Sequence, residues 1–239
     1  NTTAFKKSYS NFSDIYSKNI GDNPKGFSGM GVINDSPRKQ MFQGPLKQTN
    51  GALDLAVSGL GFLTLASAND TENRFYTRDG SLGLSSKGEV INQQGLNLLA
   101  HPVIGDATFN PAIFEKVTIE PNITDALGNT RILTNINVSS SGVLKAIYGL
   151  DEEVVIAKIP LTSFENMEAL QSEGNNLFTP TTESGEPIVG IALEENMGEI
   201  IPGFLEGSNV EITDELVKML KYQQAYSGNS KLLQTEIDI

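Results

Sequence analysis

The 239-residue chain is long enough for one elongated domain or two small ones with a real core, and it contains no apolar run able to span a bilayer. With no Cys and a single His, it lacks disulfides, thiolate nucleophiles, Cys-ligated zinc and the His relays of most acid–base sites. A formal net charge of −12 argues against nucleic acid as a partner. No cofactor, no metal, no membrane insertion and no enzymatic activity are expected. His101, beside Pro102, reads as a strand-end or loop residue rather than a catalyst.

Charge is unevenly placed. Residues 1–50 hold seven Lys/Arg and three Asp/Glu, whereas the rest of the chain holds ten and 26. A solvated basic arm on an acidic body would give this pattern, and so would an arm that lies against the body of a second copy. The opening Asn1-Thr2-Thr3-Ala4-Phe5 has neither an initiator Met nor a leader pattern and reads as a start inside a longer chain.

In chain order, residues 1–50 form an N-terminal arm or linker. Within it Phe5, Tyr9, Phe12, Ile15 and Tyr16 recur at three- and four-residue steps, which predicts a short amphipathic helix. Gly21-Asp22-Asn23-Pro24-Lys25-Gly26 breaks regular structure, and Gly29-Met30-Gly31-Val32-Ile33 reads as extended.

Residues 51–205 carry the signals of an antiparallel β body. Leu53, Leu55 and Val57 alternate with Asp54, Ala56 and Ser58, the period of a half-buried strand. Gly59-Leu60-Gly61 allows a sharp bend before Phe62-Leu63-Thr64-Leu65. Arg74 to Arg78 forms a strand closed by Asp79-Gly80, and Lys87-Gly88 marks a second turn. Strands are also predicted at 117–119, 135–138, 143–148 and 154–159, with Ser139 to Gly142 as a hairpin turn. Phe164 to Leu170 suits a helical turn.

From Gly207 the character changes. Residues from about 213 to 237 read as one helix, with Thr213 as N-cap and Asp214 and Glu215 at the positive end of the helix dipole. Leu216, Met219, Tyr226, Leu233 and Ile237 share a seam in alternating three- and four-residue steps, and Gln223 and Ser230 fill its polar positions. Packing of this seam on another helix fits better than packing on the chain's own body.

Short motifs add little by themselves. Gly59-Leu60-Gly61-Phe62 lacks the third Gly and the βαβ context of a nucleotide loop, and without a flanking fold it is weak evidence for a carboxylate-binding loop. Asp151-Glu152-Glu153 and Glu194-Glu195 lack the spacing of a calcium loop. The sequons at Asn122 and Asn137 are short enough to arise by chance.

Several longer segments, taken in order, form a pattern. NTTAFKKS with FSDIYS resembles the junction after the N-terminal helix of bacterial flagellar hook and rod axial proteins. LKQTNGALDLAVSGLGFL and RFYTRDGSLGLSSKGEVINQQGLNLL are similar to that family's strand, bend and turn segments, with Leu63 and Leu82 where Phe is usual. LTSFENMEALQSEGNNLFTPTTESGEP resembles the segment before the final strands. GFLEGSNVEITDELVKMLKYQQAYSGNSKLLQT resembles the terminal helix, with Gln224 in place of Arg. The matches leave out the middle, about 101–153, which reads as a small insertion in the body.

The resemblance implies a mainly β protein: an elongated antiparallel β body (51–205), an extended N-terminal arm (1–50) and a C-terminal α-helix (206–239) belonging to an inner-tube helical region. It implies a structural subunit that polymerises helically with copies of itself and meets neighbouring flagellar axial proteins outside the cytoplasm after export. Phe5, Phe12, Tyr16, Leu216, Met219, Gln223, Tyr226, Leu233 and Ile237 are the expected subunit interface. The short spacing from FSDIYS to the LDLAV strand favours a hook subunit, with a distal rod subunit as the alternative. An adhesin-like binding module and a carboxylate-based hydrolase are the rivals from other classes.

Overall fold

The computed structural model describes residues 2–10, 12–17, 28–34, 37–104, 108–124, 128–149, 152–194 and 196–237. The protein is mainly β with one C-terminal helix, α1, at Ile212–Ile237.

The principal sheet runs through Asn122–Thr124, Thr130–Val138, Val143–Tyr148, Glu152–Lys158, Asn97–Ile104, Leu63–Ser67, Asp70–Thr77, Leu177–Thr179 and Gln171–Gly174, in that order. Every neighbouring pair along it is antiparallel. Two apolar clusters hold it. The larger gathers Leu55, Val57, Leu63, Leu65, Leu98, Leu144, Ile159 and Ile200, all fully buried. The smaller is aromatic: the Phe62 ring meets those of Phe164 and Phe178 edge-on at 6.1 and 6.0 Å, and Tyr76 meets Phe164 at 4.9 Å. Phe62, Thr64 and Tyr76 are all buried, so this part of the sheet is covered on both faces.

The turn signals hold. Gly88, at φ 79°, ends the turn between the Gly83–Leu84 and Val90–Ile91 strands, and Gly142, at φ 82°, closes the hairpin after Thr130–Val138. Met167–Ala169 is a single 3-10 turn within the segment expected to be helical. The Gly59-Leu60-Gly61 bend needs its glycines. Both have φ near or above 100°, and a Cβ on Gly61 would lie 2.9 Å from that of Leu161.

Several expectations are corrected. Among the described residues there is no helix in the arm: Ser8–Tyr9 pairs with Arg38–Lys39, and Phe12–Ser17 pairs with Ser28–Asn34. One helical turn fixes many dihedrals for few hydrogen bonds, so aromatic and β-branched residues at helical spacing still pair as strands here. The break expected at 21–26 lies outside the described residues. Leu55–Ser58 is not half-exposed, because Leu55, Ala56 and Val57 are all buried. The strand is covered on its second face as well, and Ala56 is small enough to sit beneath that cover. His101 is buried within a strand rather than placed in a loop; its Nδ1 lies 2.9 Å from the Ile113 carbonyl oxygen and its ring packs on Phe114. Helix α1 begins at Ile212, and the Glu215 N–H bonds the Glu211 carbonyl at 3.2 Å, so Glu211 rather than Thr213 precedes the first turn.

Candidate subunit interface

The chain enters α1 from a short strand, Phe204–Glu206, paired with Leu46–Gln48. That strand is anchored on its other side by the N-terminal residues: the Ala4 N–H donates to the Glu206 carbonyl at 2.8 Å and the Asn209 N–H to the Phe5 carbonyl at 3.2 Å. The Asn209 side chain ties three segments. Its Oδ1 accepts from the Lys7 N–H at 2.8 Å, and its Nδ2 donates to the carbonyls of Gln40 and Phe42 at 2.8 and 3.2 Å.

Beneath this bracket lies a buried ion cluster. Glu206 accepts from Lys6 Nζ at 2.5 Å and from the Gly44 N–H at 2.8 Å, and its second oxygen lies 3.4 Å from Arg78 Nη1. Lys6 and Glu206 have no exposed side-chain surface, and Arg78 has almost none. Lys6 Nζ also donates to the Phe42 carbonyl and Arg78 Nη2 to the Gly59 carbonyl. Burial holds both basic groups below their ordinary values, with the Glu206 carboxylate acting in the opposite direction. The cluster joins the arm, the β body and the root of the helix. Sequence reading missed it, because a lone Lys, Arg and Glu look like surface residues; the one available signal is an acid beside Phe204 and Leu205 in a short strand.

Glu215, in the first turn of α1, accepts from Lys7 Nζ and from Lys218 Nζ, the latter at 3.0 Å. These hydrogen bonds, Lys7's first, hold its carboxyl below the usual glutamate value of 4.5. A depressed carboxylate contributes stability that is present above the unfolded-state value and is lost as pH falls through the folded one. Acidification below about pH 4.5 is therefore expected to loosen the helix root before the β body. Amide exchange at 212–220 followed by NMR checks this, and Glu215→Gln should remove the pH dependence there.

Part of the arm's positive charge is thus met within the same chain, by Lys6–Glu206, Lys7–Glu215 and a long Arg38–Glu183 contact at 3.8 Å. Of the expected interface residues, Leu216, Met219, Gln223, Tyr226 and Leu233 all lie on α1 and all are exposed, the apolar ones from 48% at Met219 to 77% at Tyr226. Phe5 is at the helix root, partly exposed, with Lys39 Nζ 5.2 Å above its ring. Phe12 and Tyr16 lie in the Phe12–Ser17 strand and Ile237 ends α1; their side chains lie outside the described residues. Among the described residues no group of three or more His, Cys, Asp or Glu could hold a metal, and no helix is long and apolar enough to cross a membrane.

An antiparallel β body with a bracketed, solvent-facing terminal helix is the layout of a structural assembly protein. The comparisons with known proteins agree. Residues 56–146 match the model described as the flagellar hook protein FlgE/F/G D1 domain, and residues 201–238 match the flagellar basal body rod FlgEFG protein C-terminal model. The flagellar basal-body rod protein FlgG of Buchnera aphidicola subsp. Acyrthosiphon pisum is 31% identical over 98% of this chain and 84% of its own length. FlgG of Borreliella burgdorferi is also 31% identical, with the same shares covered. The flagellar hook protein FlgE of Salmonella typhimurium is 34% identical over 107 residues, 45% of this chain and 27% of that protein. The chain belongs to the flagellar hook and rod axial protein family, and it is a structural subunit of the bacterial flagellum.

Proposed function

We propose that this chain is a distal rod subunit of the flagellar basal body, which polymerises helically with copies of itself and contacts neighbouring axial proteins. One observation carries the choice of rod over hook. The rod relatives align along nearly the whole chain and most of their own length, whereas the hook relative aligns over less than half of this chain and about a quarter of its own. The short spacing that suggests a hook subunit is a local feature and weighs less than an end-to-end match.

The proposed division of labour follows the chain. Residues 1–50 act as an arm, 51–205 as the outer β body and 206–239 as the inner helical part. The interface comprises Phe5, Phe12, Tyr16 and the α1 seam of Leu216, Met219, Gln223, Tyr226, Leu233 and Ile237. Exposed apolar side chains on an otherwise unpacked helix support this, since covering each contributes about 1.5–3 kcal/mol. Repetition of one heterologous contact builds an open filament, the form a shaft requires.

Gold labelling of an epitope-tagged copy in isolated hook–basal bodies tests the assignment. Label along the rod is expected; label confined to the hook overturns it.

A further inference from the structure

Asn50-Gly51 is the one place in this chain where Gly follows Asn, and it lies where the arm meets the β body. Asn50 is exposed, and neither its side chain nor the Gly51 N–H has a hydrogen-bond partner among the described residues. The packing of the turn dictates the glycine. A Cβ at 51 would lie 2.4 Å from Asp54 Oδ2, and that carboxylate is held in place by the Thr49 hydroxyl at 2.6 Å. The same demand strips Asn50 of the neighbouring side chain that would shield its amide carbon. Asn is a thermolabile residue, and the requirements for its cyclisation meet here. They are a side chain free to rotate, an unbonded nitrogen one residue on, and nothing on that residue to obstruct the approach.

We propose that Asn50 is a site of spontaneous covalent modification, which converts it to isoaspartate and aspartate in the folded protein. Hydroxide takes the Gly51 amide proton, and the nitrogen attacks Asn50 Cγ. As that bond forms, the bond from Cγ to the side-chain nitrogen breaks, and ammonia leaves after taking a proton from water, which regenerates the hydroxide. Water then opens the cyclic imide. Cleavage between the Gly51 nitrogen and Cγ gives aspartate. Cleavage between that nitrogen and the main-chain carbonyl carbon of residue 50 gives isoaspartate, whose chain runs through the former side chain. Water is the only reactant consumed.

The position gives the change a structural consequence. Isoaspartate lengthens the backbone between two fixed points. The Thr49 N–H donates to the Gly203 carbonyl at 2.7 Å, and the Gly203 N–H donates to the Asp54 carbonyl at 2.8 Å. Between them the Asp54 N–H closes the turn on the Gly51 carbonyl at 3.2 Å. An added backbone carbon at residue 50 breaks at least one of these bonds, and either product adds a negative charge there. Gly203 immediately precedes the Phe204–Glu206 strand that leads into α1, so the modification loosens the helix root together with the arm.

The test ages the folded full chain in buffer at neutral and at mildly alkaline pH and follows each Asn by peptide mapping in the mass spectrometer. Isoaspartyl methyltransferase labelling identifies the isoaspartate. Asn50 is expected to lose its amide at least roughly tenfold faster than any other Asn, since Gly offers the one unshielded nitrogen, and faster at the higher pH. Amide exchange at residues 46–49 and 203–206 should rise in the aged protein. Aged Asn50→Gln protein, whose longer side chain closes a larger and slower-forming ring, should show no such rise. Retention of the Asn50 amide in the folded chain overturns the site, whatever the unfolded chain does. Conversion of Asn50 with amide exchange unchanged from fresh protein overturns the consequence for the helix root.

Discussion

Replacing Glu206 by Gln is expected to destabilise the protein by about 3–5 kcal/mol, because two buried cations lose the carboxylate they share. For a chain of this size that lowers the melting temperature by roughly 6–20 °C. The physical cause is asymmetric. An intact buried ion cluster adds little net stability, since each charge left water to form it, but an uncompensated charge in the same place is strongly unfavourable. A triple variant, Lys6→Met with Arg78→Leu and Glu206→Leu, should therefore recover most of the loss. Thermal and urea unfolding of the three proteins decide the matter. A Glu206→Gln change below about 1 kcal/mol would show that the cluster rearranges or admits water when the carboxylate is removed. Because the cluster ties the arm to the helix root, the single variant should also raise amide exchange at residues 4–7 and 204–209.

The second large effect separates stability from assembly. Leu233 is 61% exposed on α1, so Leu233→Ala should leave the melting temperature within about 1 °C of the parent, as surface substitutions generally do. In the full-length protein the same change is expected to abolish filament assembly and motility, if the seam is the polymerising surface. Helix α1 starts beside the β body, where packing of Leu216 on that body would stabilise its upper half. In the structure Leu216 remains half-exposed, and the root is held instead by Asn209, Lys7 and Glu215. Leu216→Ala should consequently cost little stability, whereas Asn209→Ala should cost more. A normal tube assembled from Leu233→Ala subunits, measured by electron microscopy and sedimentation, would remove the seam from the interface.

How much was legible in the sequence varies with the range of the interaction. The antiparallel body was readable because strand alternation and turn glycines are local: Val143–Tyr148 reads out, in out, in, and Gly88 and Gly142 fall where a left-handed residue is required. The helix was readable for the same reason, since a long run of helix formers after Gly207 is a local signal. The family was legible in long ordered motifs, but its member was not: a short spacer pointed to hook, and only alignment along the whole chain favours the rod.

Short segments between competing options were decided by partners distant in sequence. Phe12–Ser17 became a strand because Ser28–Asn34 offers a ladder, which helical spacing of its aromatics could not reveal. Thr64 is buried although polar because distant segments cover its face of the sheet, and its hydroxyl meets that of Thr162 at 3.0 Å. Above all, Lys6, Arg78 and Glu206 are separated by 72 and 128 positions and become one buried cluster only when the arm, the sheet and the helix root converge. Periodicity records how a residue faces its neighbours along the chain. Burial of a charge depends on which distant segment arrives to cover it, and that was settled by the tertiary structure alone.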